Sequence, residues 1–297
     1  MSLMQQAVAQ INSVILGKDQ QVKLAVACLI ADGHLLIEDL PGMGKTTLSH
    51  ALAQVFGLEY SRIQFTSDLL PADVLGVSVY EGAHGEGGFR FHPGPVFAQV
   101  VLADEINRAT AKSQSALLEA MEERQVSVEG STRLLPDPFF VIATQNPVSQ
   151  AGTFPLPESQ LDRFLMCISL GYPDETAERA LLEGKTPRQE LTQWQPVMDK
   201  AGLGVLRQQV SDVKASAAVL DYVQRILKFT RYEGGYAAGL SPRAGIALVR
   251  AAKAWAVLAD RDFLLPEDVQ AVLPAVADHR LQPGASDQIL SRVPVLA

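Results

Sequence analysis

Cysteine is nearly absent: Cys28 and Cys167 are the only two in 297 residues, and each lies inside an apolar run. That excludes a disulfide scaffold and a cysteine-built zinc site, and it fits a reducing compartment. Long hydrophobic runs are missing too. The longest clean one, residues 24–31, is far short of the roughly 20 residues that span a bilayer. The opening MSLMQQAVAQ lacks the charged-then-apolar layout of a signal peptide. A cytoplasmic protein with no membrane insertion is expected. Positive charge is scarce as well: Lys plus Arg is 25 against 33 for Asp plus Glu, a net charge of −8. All of that excess falls in residues 1–172, which hold 10 basic and 18 acidic residues. Such a chain is poorly suited to gripping a phosphate backbone, so no nucleic-acid partner is expected.

What is present is a globular composition, 47% hydrophobic and 20% charged, long enough for about two domains. Between residues 34 and 170 short apolar runs alternate with helical patterns. Runs 34–38, 60–65, 100–104, 139–143 and 165–170 read as buried strands, with helices at 46–56 and 112–124. Three of the runs nearly lack alternation, as a parallel sheet covered on both faces requires. An α/β sandwich follows, with the core expected at 1–172. Glycine-rich 80–94 (YEGAHGEGGFRFHPG) reads as a loop and short hairpin, and 124–135 as a second hairpin. His84 and His92, with Glu81 and Glu86 nearby, invite a metal reading, but nothing in their spacing fixes a geometry. Beyond residue 173 only amphipathic helical spacing remains, and Ser241-Pro242 and Leu265-Pro266 have the layout of helix starts. Residues 173–297 are therefore expected to form a helical lid.

The chemistry concentrates in two segments. Leu35 to Thr47 runs strand, glycine-bearing turn, helix start, the context in which GxxxxGK[ST] becomes informative. Backbone N–H groups of the turn that follows Pro41, at Gly42, Met43 and Gly44, and of the helix N-terminus would cradle phosphates, Lys45 would reach the β and γ phosphates, and Thr46, followed by Thr47, would hold Mg²⁺. Asp39 replaces the first glycine of that pattern. Val100 to Glu105 supplies the other half: an apolar strand ends in Asp104, placed for the Mg²⁺ shell, and Glu105, placed to polarise a water. Together they specify an ATP or GTP hydrolase.

With these motifs in place, the chain resembles the MoxR family of AAA+ ATPases. The resemblance rests on QFTSDLLPADVLG (64–76), GPVFAQVVLADEINRA (94–109), KSQSALLEAMEERQVSV (112–128), ATQNP (143–147), LPESQLDRF (156–164) and LSPRAG (240–245), in order along nearly the whole chain. It implies a five-stranded parallel sheet, ATP with Mg²⁺, and a homo-oligomeric, hexameric ring. It also implies roles: Asn146 as sensor 1, Arg163 as an arginine finger delivered to the next subunit, Arg243 as sensor 2, and Ile15, Leu16 and Gly17 around the adenine. The hairpins correspond to pore-facing inserts of the clade that includes magnesium chelatases and replicative helicases. Arg108 is left between a structural and a trans-acting role. Family members are thought to remodel client proteins, in maturation or metal insertion, commonly with a separate von Willebrand factor A domain partner; the client is not legible. A nucleic-acid motor would need basic hairpins, whereas the tip of the second is Glu129-Gly130-Ser131. A nucleotide-gated scaffold with little turnover is disfavoured by the complete set Lys45, Asp104, Glu105 and Arg163.

Overall fold

The computed structural model describes residues 2–81, 88–146, 152–183, 191 and 194–296. Two helices, α1 (Leu3–Asn12) and α2 (Asp19–Ile30), precede the sheet. Then follow β1 (Leu35–Glu38), α3 (Lys45–Val55), β2 (Tyr60–Gln64), α4 (Pro71–Leu75), β3 (Gly76–Glu81), β4 (Gly88–Pro93) and β5 (Val100–Asp104). The chain continues through α5 (Ala111–Glu123), β6 (Gln125–Val128), β7 (Ser131–Leu134), β8 (Phe140–Gln145), α6 (Glu158–Leu161) and β9 (Met166–Ile168). Helices α7 (Glu175–Leu182), α8 (Lys200–Asp212), α9 (Ala217–Tyr232), α10 (Pro242–Leu258), α11 (Pro266–Ala277) and α12 (Ala285–Arg292) complete it.

Five strands form one parallel sheet in the order β2-β5-β8-β1-β9. Side chains alternate between its faces, and both faces are covered. Leu35, Ile37, Leu102 and Ile142 join the apolar cluster containing α1, α2, α3 and the C-terminal helices. Leu36, Val101, Ala103, Val141 and Ala143 join the opposite cluster with α4 and α5. Two-sided burial is why these strands read as unbroken apolar runs.

The last strand is shorter than the expected 165–170. The backbone N–H groups of Leu170 and Gly171 turn away to the Asp39 carboxylate, at 2.6 and 2.8 Å, so pairing stops. The first hairpin begins at Gly76, earlier than the expected residue 80, because β3 starts as soon as α4 ends. Its tip, with His84 and Glu86, lies outside the described residues; His92 pairs with Glu81 at 2.7 Å. Among the described residues no group of three or more His, Cys, Asp or Glu is arranged to hold a metal. The second hairpin pairs Gln125–Val128 with Ser131–Leu134. The two hairpins touch: the Arg133 guanidinium lies 3.8 Å from the centre of the Phe91 ring.

The C-terminal helices fold against α2. Ser241 caps α10, its hydroxyl accepting from the Ala244 amide at 3.0 Å, and Asp268 accepts from the Leu265 amide at the start of α11. No helix among the described residues is long and apolar enough to cross a membrane.

Candidate active site

The parallel sheet brings the carboxyl ends of β1, β5 and β8 side by side, and the polar residues collect there. A cleft of about 260 Å³ is lined by Pro41, Gly42, Gly44, Lys45, Thr46, Thr47, Asp104, Glu105 and Asn146. The register explains the grouping. Glu38 pairs with Gln145 across β1 and β8, and Gln64 with Asp104 across β2 and β5. Residues just past those positions therefore converge on one edge.

Gly42 and Gly44 both have positive φ, at 88° and 93°, which an L side chain adopts only at a cost. A Cβ on Gly42 would meet nothing within 4 Å, and one on Gly44 only Ile15 Cδ1 at 3.9 Å, so the turn leaves open space above the start of α3. Helix N-terminal N–H groups facing such a space suit a polyphosphate. Lys45 is buried, its ammonium donating to the Asp39 carbonyl at 2.8 Å and Asn146 Oδ1 at 3.2 Å. Burial pushes its pKa below the ordinary lysine value, and the carboxylates of Asp104, Asp39 and Glu105 oppose that shift.

Each carboxylate is held by neighbours. Asp104 Oδ1 accepts from the Thr144 hydroxyl at 2.6 Å, and Oδ2 from Arg62 at 2.7 Å. Both oxygens are thus engaged, and a cation fits this site through an intervening water more readily than by displacing Arg62. Glu105 has φ 56°, the left-handed region, which lifts its side chain off the end of β5. Its Oε1 accepts from Asn146 Nδ2 at 3.0 Å and its Oε2 from Gln64 at 3.1 Å; Arg108 lies 3.2 Å away. The Glu105 amide is fixed on Thr144 Oγ1 at 2.8 Å. Ile15 is buried beside the turn, while Gly17 abuts Asp174 and Ala177 at the start of α7. The segment 15–17 therefore lies between the phosphate turn and the first helix beyond the sheet.

Arg163 and Arg243 are elsewhere. Both line a second cavity of about 250 Å³, which shares no lining residue with the first. There each guanidinium is 3.2 Å from a Glu122 oxygen. Arg163 forms no pair with its neighbour Asp162, which instead receives Arg280 at 2.6 Å.

Comparison with known proteins agrees with this geometry. Residues 34–166 match the ATPase family associated with various cellular activities (AAA), and residues 228–294 match the AAA lid domain. Chaperone MoxR1 of Mycobacterium tuberculosis is 40% identical, with 94% of this chain and 75% of that one covered. Protein MoxR of Paracoccus denitrificans is 35% identical over 98% and 92% of the two chains. The chain belongs to the MoxR family of AAA+ ATPases. It is also 46% identical to the uncharacterized protein YeaC of Bacillus subtilis, over 94% of this chain and 87% of that one. A crystal structure from Cytophaga hutchinsonii, assigned as an ATPase, superposes with a TM-score of 0.87 at 36% identity, covering 98% and 94%.

As a MoxR-family ATPase the chain binds nucleotide and hydrolyses ATP. Several of the groups that shape its cleft were not singled out in the sequence: Arg62, Gln64, Thr144 and Asn107, which donates to the Asn146 carbonyl at 3.1 Å. Arg62 and Gln64 carry a signal, since polar residues two apart on an edge strand face the same side. Thr144 carries none, because a threonine inside an apolar strand reads as core.

Proposed function

We propose that the chain acts as a ring-forming ATPase in which the nucleotide held by one subunit is attacked with help from the next. The observation supporting this reading is the separation of the polar machinery into two cavities. Lys45, Glu105 and Asn146 share one; Arg163 and Arg243 share the other, with guanidinium donors open to an incoming anion. Two arginines that lie away from the chain's own cleft suit a phosphate presented by a neighbouring copy. In this reading Glu105 takes a proton from the lytic water, Asn146 orients that water, and Lys45 draws off charge from the γ phosphate. Mg²⁺ would be held by Thr46 and, through water, by Asp104, and would neutralise phosphate charge. Ile15, Leu16 and Gly17 would enclose the adenine, and Arg108 would steady Glu105.

Residues 1–172 would form the core and 173–297 the lid, and motion between them would drive the hairpins. The name of the mycobacterial relative supports chaperone-like remodelling of client proteins as the output. A hexamer, a separate von Willebrand factor A domain partner and a cytoplasmic setting follow from the family resemblance.

Subunit mixing tests the trans arrangement. Lys45→Ala and Arg163→Ala chains should each be inactive alone. Mixed, they should regain part of the turnover, because some interfaces then join an intact cleft to an intact arginine. Full hydrolysis by Arg163→Ala alone, or no recovery at any ratio, would overturn it.

A further inference from the structure

Glu122 lies on the last turn of α5 and meets two arginines from different parts of the chain. Arg163, between α6 and β9, places Nε 3.2 Å from Oε2. Arg243, in the first turn of α10, places a terminal nitrogen 3.2 Å from Oε1. Arg163 is tied once more, donating to the Leu118 carbonyl at 2.6 Å, one turn earlier on the same helix. The other acids of this cavity are committed elsewhere: Asp32 to Arg124 and Arg207, and Asp162 to Arg280. Glu122 is thus the carboxylate that serves this pair, one oxygen to each guanidinium.

That arrangement has a chemical meaning beyond joining two elements. Two guanidiniums repel, and without Glu122 Arg163 would keep only its Leu118 contact while the long Arg243 side chain would sample many rotamers. A carboxylate between them cancels the repulsion and sets their spacing through two oxygens, as the edge of a phosphate does. The guanidiniums keep further donors free in a fixed plane. We propose that Glu122 is a positioning residue for hydrolysis: it holds Arg163 and Arg243 as a pair, at the spacing needed to engage one phosphate group of a nucleotide bound by a second copy of this chain. The inference rests on the trans reading above. In it, Glu122 touches no substrate, and its carboxylate fixes the two groups that do.

The measurement compares Glu122→Gln, nearly isosteric but uncharged, with the parent chain and with Arg163→Ala. ATP hydrolysis is followed across protein concentrations up to saturation, with nucleotide binding measured on dilute chain. Glu122→Gln should lower kcat at saturating protein by roughly tenfold or more, leaving binding by dilute chain unchanged because Glu122 lies outside that chain's own cleft. In an Arg243→Ala background the same substitution should cost markedly less, since the pair it holds is already broken. A purely structural staple would instead shift the melting temperature or the assembly concentration and leave saturated kcat alone. If Arg163→Ala is inactive while Glu122→Gln keeps the parent kcat, the positioning role is overturned. If Arg163→Ala retains full turnover, it is the trans reading that has failed.

Discussion

Asp39 stands where the phosphate-turn pattern has glycine, and its carboxylate explains the choice. It is buried, and it accepts from the Leu170 and Gly171 amides, from the Ser169 hydroxyl at 3.3 Å, and from its neighbouring Leu40 amide at 3.0 Å. One side chain thereby ties the start of the phosphate turn to the end of the last strand. Its backbone carbonyl meanwhile holds the Lys45 ammonium. Restoring the glycine would take this acceptor from three amides, those of Leu40, Leu170 and Gly171, at a cost of about 1–3 kcal/mol each where no water replaces it. Asp39→Gly should therefore lower the melting temperature by several degrees, read by calorimetry. A variant as stable as the parent would show that the contact is dispensable. Glu105 shows a related economy: the left-handed backbone that exposes its carboxylate also starts the short helical turn 106–108, whose Arg108 returns to it.

The elements follow from local rules more closely than the site does. Helix α5 was legible because Leu117, Leu118 and Met121 recur at helical spacing and are buried. Strands β1, β5 and β8 were legible because both faces are covered. Lys45, Thr46, Asp104 and Glu105 were legible because a strand and a helix start flank them. Glu122 was not. It sits among four acidic residues in 119–129, and nothing local separates a solvated carboxylate from one that receives two arginines distant in sequence. The base of the first hairpin was equally hidden. A Cβ on Gly94 would fall 2.3 Å from the Val74 carbonyl and 2.5 Å from the Gly76 amide, both backbone atoms. Gly94→Ala should force β3 and β4 apart at their root, costing about 1–3 kcal/mol as overpacking does. Hydrogen exchange should then quicken in β3 and β4 and stay unchanged in β1 and β8; unaltered exchange in the hairpin would contradict this packing.

At the scale of the whole molecule, sheet and C-terminal helices are joined by buried polar contacts as well as apolar ones. Arg280 reaches back from the lid to Asp162 and donates to the Phe164 carbonyl at 2.6 Å. His34 sits at the start of β1. Its Nδ1 accepts from the Val141 amide at 3.0 Å and its Nε2 lies 3.3 Å from the Met121 carbonyl, an arrangement that needs a neutral ring protonated on Nε2. Burial pushes its pKa down to about 4 from 6.5, with the Met121 contact opposing and Arg124 assisting. The unfolded chain takes up the proton first. The stability gained by keeping His34 neutral is therefore complete above about pH 6.5 and drains away as pH falls towards about 4. Between about pH 7 and about pH 5 this amounts to roughly 2 kcal/mol. The loss of melting temperature over that range should be smaller in His34→Gln, and an equal loss in both proteins would remove His34 as a cause.

The two cysteines return at this scale. Cys28 is wholly buried in α2, and burial pushes its thiol far up; that of Cys167, within β9, is pushed up to about 12. Neither is poised to form the thiolate that reacts. A cysteine introduced at the exposed Phe89 or Leu134 would then react with a maleimide ahead of buried Cys28 and half-buried Cys167. The parent sequence is in effect already a labelling background, in which one dye per hairpin would report distance changes through a round of hydrolysis.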